Sequence, residues 1–187
     1  MITANDQMEI LKSGLPYRIL FLDIDGVMNN STIYQDDRGS FPHLEKPWFI
    51  PRALKILRNL VALDGWHIVI SSTWRHGLPE EQFALWFNLP GDRIIGKTPS
   101  FAGIRGEEIT AWLKKNLQAG KIHPKTHIAI LDDNSDMEDW QRPFFVQTEW
   151  DIPQDEEAAG LNWEHYQKIK RITYQYENGY IEMKDLS

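Results

Sequence analysis

The run "ILFLDIDGVMNN" carries two carboxylates, Asp23 and Asp25, separated by Ile24 and followed at once by Gly26. A strand as apolar as residues 19–22 should be covered on both faces, so anions at its exit cost desolvation and mutual repulsion unless something positive sits there. Two further runs end in the same manner: "SSTWR", residues 71–75, follows "WHIVI", and "DDNSD", residues 132–136, follows "HIAIL". If the three exits converge, four or five carboxylates, a hydroxyl cluster and one Arg meet. Two unit charges about 4 Å apart at an effective dielectric of about 20 repel by roughly 4 kcal/mol, so such a group needs protons or a cation. Carboxylate oxygens with no His or Cys companion suit a hard divalent ion, and Mg²⁺ is typically held by one or two carboxylates, waters and a substrate phosphate.

These positions need a scaffold. "YRILFLDI" reads as a central parallel strand, and "PRALKILRNLVALDG" as a helix that opens on Pro51, has Leu54, Leu57, Leu60 and Val61 at helical spacing, and stops at Gly65. "WHIVISS" is the next strand, "PEEQFALWFN" a helix, and "DRIIGKT" a short strand. "GEEITAWLKKNLQAG" is an amphipathic helix ending at Gly120, "THIAILDD" a strand, "RPFFVQT" a fifth strand and "NWEHYQKIKRI" a final helix. The tail "YQYENGYIEM" alternates around Asn178 and Gly179, a hairpin signal. This alternation predicts an α/β fold, a Rossmann-like three-layer sandwich around a mainly parallel sheet of about five strands. In such sheets ligands bind beyond the carboxyl ends of the strands, where all three polar runs fall.

The 187 residues fit one domain, with a core at about 17–150 and the C-terminal helix and hairpin at 161–187. "MNNSTIYQDDRGSFPHLEKPWF" reads as a long loop or flap, and the acidic "EWDIPQDEEAAG" as a surface loop. A net charge of −7 argues against a broad footprint for duplex nucleic acid, leaving room for a local basic pocket. The absence of Cys rules out disulfides and thiolate metal sites. With no basic and apolar leader and no run of about 18 apolar residues, a soluble, cytoplasmic protein is expected, with no membrane partner.

In this order and on these element types, "FLDIDGV", the Ser of "VISSTWR" and "ILDDNSD" resemble the motifs of the haloacid dehalogenase (HAD) superfamily of phosphohydrolases, over roughly residues 18–148. Within it, "DIDGVMN", "ISSTWR", "RGEEITAWL", "ILDD" and "AAGLNW" look most like the small HAD domains of Swiss Army Knife RNA repair proteins. The resemblance implies that Asp23 attacks phosphorus to form an aspartyl phosphate, and that Asp25 is the acid for the leaving oxygen and then the base for water. It implies Mg²⁺ held by the Asp23 carboxylate, the Asp25 carbonyl and Asp132, with Asp133 or Asp136 in support. Ser72 is the first choice for the hydroxyl on a phosphate oxygen, with Ser71 and Thr73 as alternatives; Arg75 is a candidate bidentate phosphate clamp. A further cation is required, and Arg105 is the first choice ahead of Lys97 and Lys114. An acid at Asp25 implies phosphatase chemistry, and short segments after Asp25 and Arg75 imply an open cleft with a minimal cap or none. A nucleotide or polynucleotide end is then the expected substrate. The acidic net charge favours a small phosphorylated metabolite instead, and a noncatalytic phosphate or metal binding module is the reading from another class.

Each piece has a plainer reading. "DxDG" is also half of a calcium loop, although the rest of that template is missing. Arg75 can be a surface or cation–π partner, Arg105 a helix-start residue paired with Glu108, and "DDNSD" a helix cap. His123 and His127 are spaced like ligands, yet Pro124 lies between them and a structural role is expected; His43 and His76 read as solvated loop residues. Trp48 and Trp74 read as packing residues, with base stacking the lesser alternative.

Overall fold

Residues 19–22 are apolar and buried on both faces, and the chain places them where such a run is required, at the middle of a sheet. The computed structural model describes residues 8, 12–31, 48–151, 158–184 and 186. Its strands are β1 (Arg18–Leu22), β2 (Trp66–Ile70), β3 (Ile94–Lys97), β4 (His127–Asp132) and β5 (Phe145–Gln147). They pair in the order β3-β2-β1-β4-β5, all parallel. Among the described residues four helices of eight residues or more accompany them: α1 (Pro51–Ala62), α2 (Glu80–Phe87), α3 (Arg105–Gln118) and α4 (Trp163–Glu177).

Register shows the layering. Arg18 pairs with His127 and Phe21 with Ile130, so His127 and Phe21 point to opposite faces. Tyr176 of α4 stacks on the His127 ring at 4.4 Å, whereas Trp112 of α3 meets Phe21 edge-on at 5.5 Å. Helices α3 and α4 therefore cover different faces, and Lys170 of α4 binds the Asp64 carboxylate just past α1, placing α1 beside α4. The result is the expected three-layer sandwich. Strand order reverses between β1 and β4, so their shared carboxyl end is the topological switch point at which such sheets form a crevice.

Two elements depart from expectation. The fifth strand, expected over 142–148, begins only at Phe145, because residues Asp139–Phe144 form a 3₁₀ helix that takes in Pro143. The expected C-terminal hairpin is absent, since α4 runs through Glu177. Asn178 and Gly179 instead stop the helix: Gly179 has φ 70°, its N–H donates to the Tyr176 carbonyl, and the Tyr180 N–H reaches back to Gln175. This is the Schellman arrangement, in which glycine takes the left-handed position for the same steric reason it suits a hairpin turn. The flap, from 32 to 47 and including His43, lies outside the described residues, as do 152–157 of the acidic loop. No helix among the described residues is long and apolar enough to cross a membrane.

Candidate functional site

Strand pairing brings the acids together. Leu22 is in register with Leu131, and the Asp23 N–H donates to the Leu131 carbonyl at 2.9 Å, so Asp23 and Asp132 leave neighbouring strands side by side. Carboxylate oxygens of Asp23, Asp132 and Asp133 lie within 4.8 Å of one another, with Asp23 and Asp132 buried and Asp133 half-buried. Burial pushes the Asp23 carboxyl up to about 7, against the lowering pull of Arg105 and of a hydrogen bond from Ser72. Burial and the adjacent Asp23 push Asp132 up to about 8. Burial also raises Asp133, with Asp25 contributing. The group thus holds more negative charge than its surroundings can support ionised.

Geometry fits a cation there. Asp132 Oδ1 accepts the Asn134 N–H at 2.9 Å, whereas the buried Oδ2 has no aligned donor among the described residues. Gly26, at φ 71°, approaches Asp133 so closely that a Cβ would stand 2.6 Å from its carboxylate. Three carboxylates, one with a buried oxygen that accepts no hydrogen bond among the described residues, match the donor chemistry of a hard divalent ion. Asp23, Asp132 and Asp133 are the side chains that would hold it.

Arg105 faces this group. Its Nε is 3.2 Å from Asp132 Oδ2, one terminal nitrogen is 3.7 Å from Asp23 Oδ1, and the other is 3.5 Å from Glu108 Oε2. The start of α3 is clipped to the chain after β4. Asp136 accepts the Arg105 N–H on its carboxylate and the Gly106 N–H on its carbonyl, and Gln141 donates to the Gly106 carbonyl at 2.8 Å. Gly106 is required for this approach, since a Cβ would lie 2.4 Å from the Glu138 nitrogen. Asp136 therefore caps the helix that carries Arg105. Of the alternative cations, Lys97 donates to the Leu78 carbonyl at 2.7 Å, and Lys114 is exposed two and a half turns along α3.

Asp25 stands apart from the three acids, though close enough to raise Asp23 and Asp133. Strand alternation does not govern it, because β1 ends at Leu22 and the chain turns, with Met28 and Val27 donating to the Ile24 carbonyl. Its Oδ1 accepts an N–H from Asn29 Nδ2 at 2.9 Å, and its Oδ2 accepts the Trp74 Nε1–H at 2.9 Å. The Asn29 side-chain Oδ1 accepts the Gly26 N–H at 3.1 Å, and Thr148 Oγ1 donates to the Gly26 carbonyl at 2.8 Å. The "AAGLNW" segment braces the same turn: the Leu161 N–H donates to the Val27 carbonyl, and Arg52 binds the Ala159 and Leu161 carbonyls.

After β2, Ser72 is fully buried against Asp23, Ser71 is buried with its hydroxyl unpaired among the described residues, and Thr73 is exposed. Arg75, the candidate phosphate clamp, is engaged inside the protein, within electrostatic reach of Asp23 and Arg105. Its guanidinium is buried, 2.7 Å from Glu108 Oε2, and donates to the Ser72 and Pro99 carbonyls at 2.6 and 3.2 Å. Three acceptors inside the protein hold it in place. Trp74 packs as expected, 5 % exposed, while Trp48 is 56 % exposed. His127 is structural: buried between Tyr17 and Tyr176, its pKa pushed down to about 3 by burial and by Arg18, it sits at the opposite end of β4.

Sequence reasoning pairs Glu108 with Arg105 alone, and it does not find Asn29 or the Trp74 indole as donors to Asp25. The i,i+3 spacing of Arg105 and Glu108 was visible, but nothing local shows that Arg75 joins them.

A family model described as the HAD domain in Swiss Army Knife RNA repair proteins matches residues 19–172. No curated protein matches the chain.

Proposed function

The chain belongs to the HAD domains of Swiss Army Knife RNA repair proteins, and from that premise we propose a Mg²⁺-dependent phosphomonoesterase acting on a nucleotide or a polynucleotide end. Membership implies phosphohydrolase-type chemistry. What supports the finer reading is the meeting of Asp23, Asp132 and Asp133 within 4.8 Å, opposite Arg105.

Residues of the chain divide the work by position. A divalent ion at the three acids would supply positive charge to the phosphoryl oxygens and keep the Asp23 carboxylate ionised. Asp23 attacks phosphorus, forming an acyl phosphate as the bond to the leaving oxygen breaks, and Asp25 gives that oxygen its proton. Water then attacks the phosphorus of the acyl phosphate, Asp25 takes a proton from it, and phosphate leaves as the Asp23 carboxylate is restored. Arg105 sits beside Asp23, where negative charge spreads over the transferring group. Ser72, hydrogen-bonded to Asp23, orients that carboxylate and is our choice of hydroxyl for a phosphoryl oxygen. Arg75, held by Glu108, positions the turn after β2.

The test is turnover of p-nitrophenyl phosphate with Mg²⁺, lost with EDTA and in Asp23→Asn, followed by a panel of mononucleotides, 3′- and 5′-phosphorylated oligonucleotides and sugar phosphates. No turnover by the intact protein overturns the reading in favour of a binding module. Preference for sugar phosphates would select the metabolite reading, which the net charge of −7 favours.

A further inference from the structure

Between β3 and Arg105 runs a short segment that the catalytic assignment leaves without a task. Residues 98–104, "TPSFAGI", follow β3 directly, and the Thr98 N–H donates to the Ile70 carbonyl at the end of β2, so the segment starts at the carboxyl edge of the sheet. It ends on Arg105, whose guanidinium faces Asp23. Two large apolar side chains on it face solvent: Phe101 is 45 % exposed and Ile104 is 40 % exposed.

The segment is tied to the site. Phe101 N–H donates to Glu108 Oε1 at 3.3 Å, and the other oxygen of that carboxylate contacts Arg75 and Arg105. A single buried carboxylate thus fixes the Phe101 backbone relative to the cation beside Asp23. The ring lies against Gly103, where a Cβ would stand 3.3 Å from it and closer still to Glu107 Oε2, so the bare position leaves room for both side chains. An exposed aromatic ring whose backbone is tied through Glu108 to Arg105, the cation facing Asp23, offers its π-face to a flat group held at the same site.

We propose that Phe101, rimmed by Ile104, is the specificity-determining residue of this site, stacking on the planar ring of the leaving group, a nucleobase, while the phosphate lies at Asp23 and Arg105. This rests on the phosphomonoesterase reading and narrows it to ring-bearing phosphomonoesters. Stacking on a base is sequence-tolerant because every base has a π-face, so preference among bases should be slight.

The experiment compares kcat/KM for adenosine monophosphate and for glycerol 3-phosphate in the wild type, Phe101→Ala and Phe101→Trp. The expected result is a fall of about fivefold or more in the nucleotide-to-glycerol ratio in Phe101→Ala, carried by KM, and its recovery in Phe101→Trp. An unchanged ratio overturns the proposal while leaving the hydrolase reading intact. A second arm needs no turnover: the double variant Asp23→Asn, Phe101→Trp is titrated with each phosphate against Asp23→Asn alone. Added Trp quenching by the nucleotide and none by glycerol phosphate supports stacking even if no phosphate is hydrolysed; equal or absent quenching overturns it.

Discussion

Trp74 donates its indole N–H to Asp25 Oδ2 at 2.9 Å, making a buried ring from the β2 exit a direct partner of the acid at the β1 exit. The ring packs against Phe49 and Trp86, so the donor has little freedom to follow another acceptor. Trp74→Phe keeps an aromatic side chain and removes the N–H. A hydrogen bond to a charged group is worth about 1.5–3 kcal/mol, so kcat for alkyl phosphates should fall roughly 10- to 100-fold. Aryl phosphates with good leaving groups depend less on the acid and should lose less, with KM nearly unchanged in both series.

Gly26→Ala tests the acidic cluster. Residue 26 is at φ 71°, and the new methyl would meet Asp133 at 2.6 Å. Strain of about 1–3 kcal/mol is expected, together with displacement of one carboxylate. Calorimetric titration should show weaker divalent binding, and thermal unfolding a lower midpoint.

The raised acids give a pH dependence with a defined sign. In the metal-free protein Asp23 and Asp132 titrate near 7 and 8, above their ordinary value, so between pH 4 and 8 the folded state holds more protons than the unfolded one. Their contribution to stability is complete below pH 4 and is lost as pH rises through 7 to 8. The melting midpoint without divalent ion should fall across that window, and Asp132→Asn should flatten the fall. Divalent binding should release protons at pH 7, measurable as a buffer-dependent heat, and should tighten between pH 6 and 8.

Arg75 and Arg105 should separate cleanly. Arg75→Ala removes the closer partner of the buried Glu108 and should cost about 3–5 kcal/mol of stability, read by urea unfolding. A phosphate clamp would raise KM instead and leave unfolding unchanged. Arg105→Ala should lower kcat/KM about 100- to 1,000-fold, the scale of losing one charge-stabilising contact at a reacting centre.

Much of the fold was legible because its signals are local. The apolar runs of β1, β2 and β4, the helical spacing in α1 and α3, and the stop at Gly65 report themselves within a window of one element. The C-terminal hairpin failed for a related reason: Asn178 and Gly179 satisfy a hairpin turn and a helix stop equally, and the choice falls to Tyr176, which is drawn into the core against His127 and Phe144. The start of β5 was misplaced because Pro143 belongs to a 3₁₀ turn held by the Glu138 and Gln141 capping box.

By itself the amino-acid sequence determined which residues leave the strands as charges: Asp23, Asp25, Asp132 and Asp133 must follow buried runs, and in a parallel sheet such exits share one edge. Tertiary structure alone decided how those charges divide. It turned Arg75 inward to Glu108, turned Arg105 outward to Asp23 and Asp132, and gave Asp25 to Trp74 and Asn29 instead of the acidic cluster. The physical reason is range. A strand's burial is set by its own side chains, whereas the partner of a buried charge is whichever opposite charge or donor the packing of distant segments brings within about 3 Å.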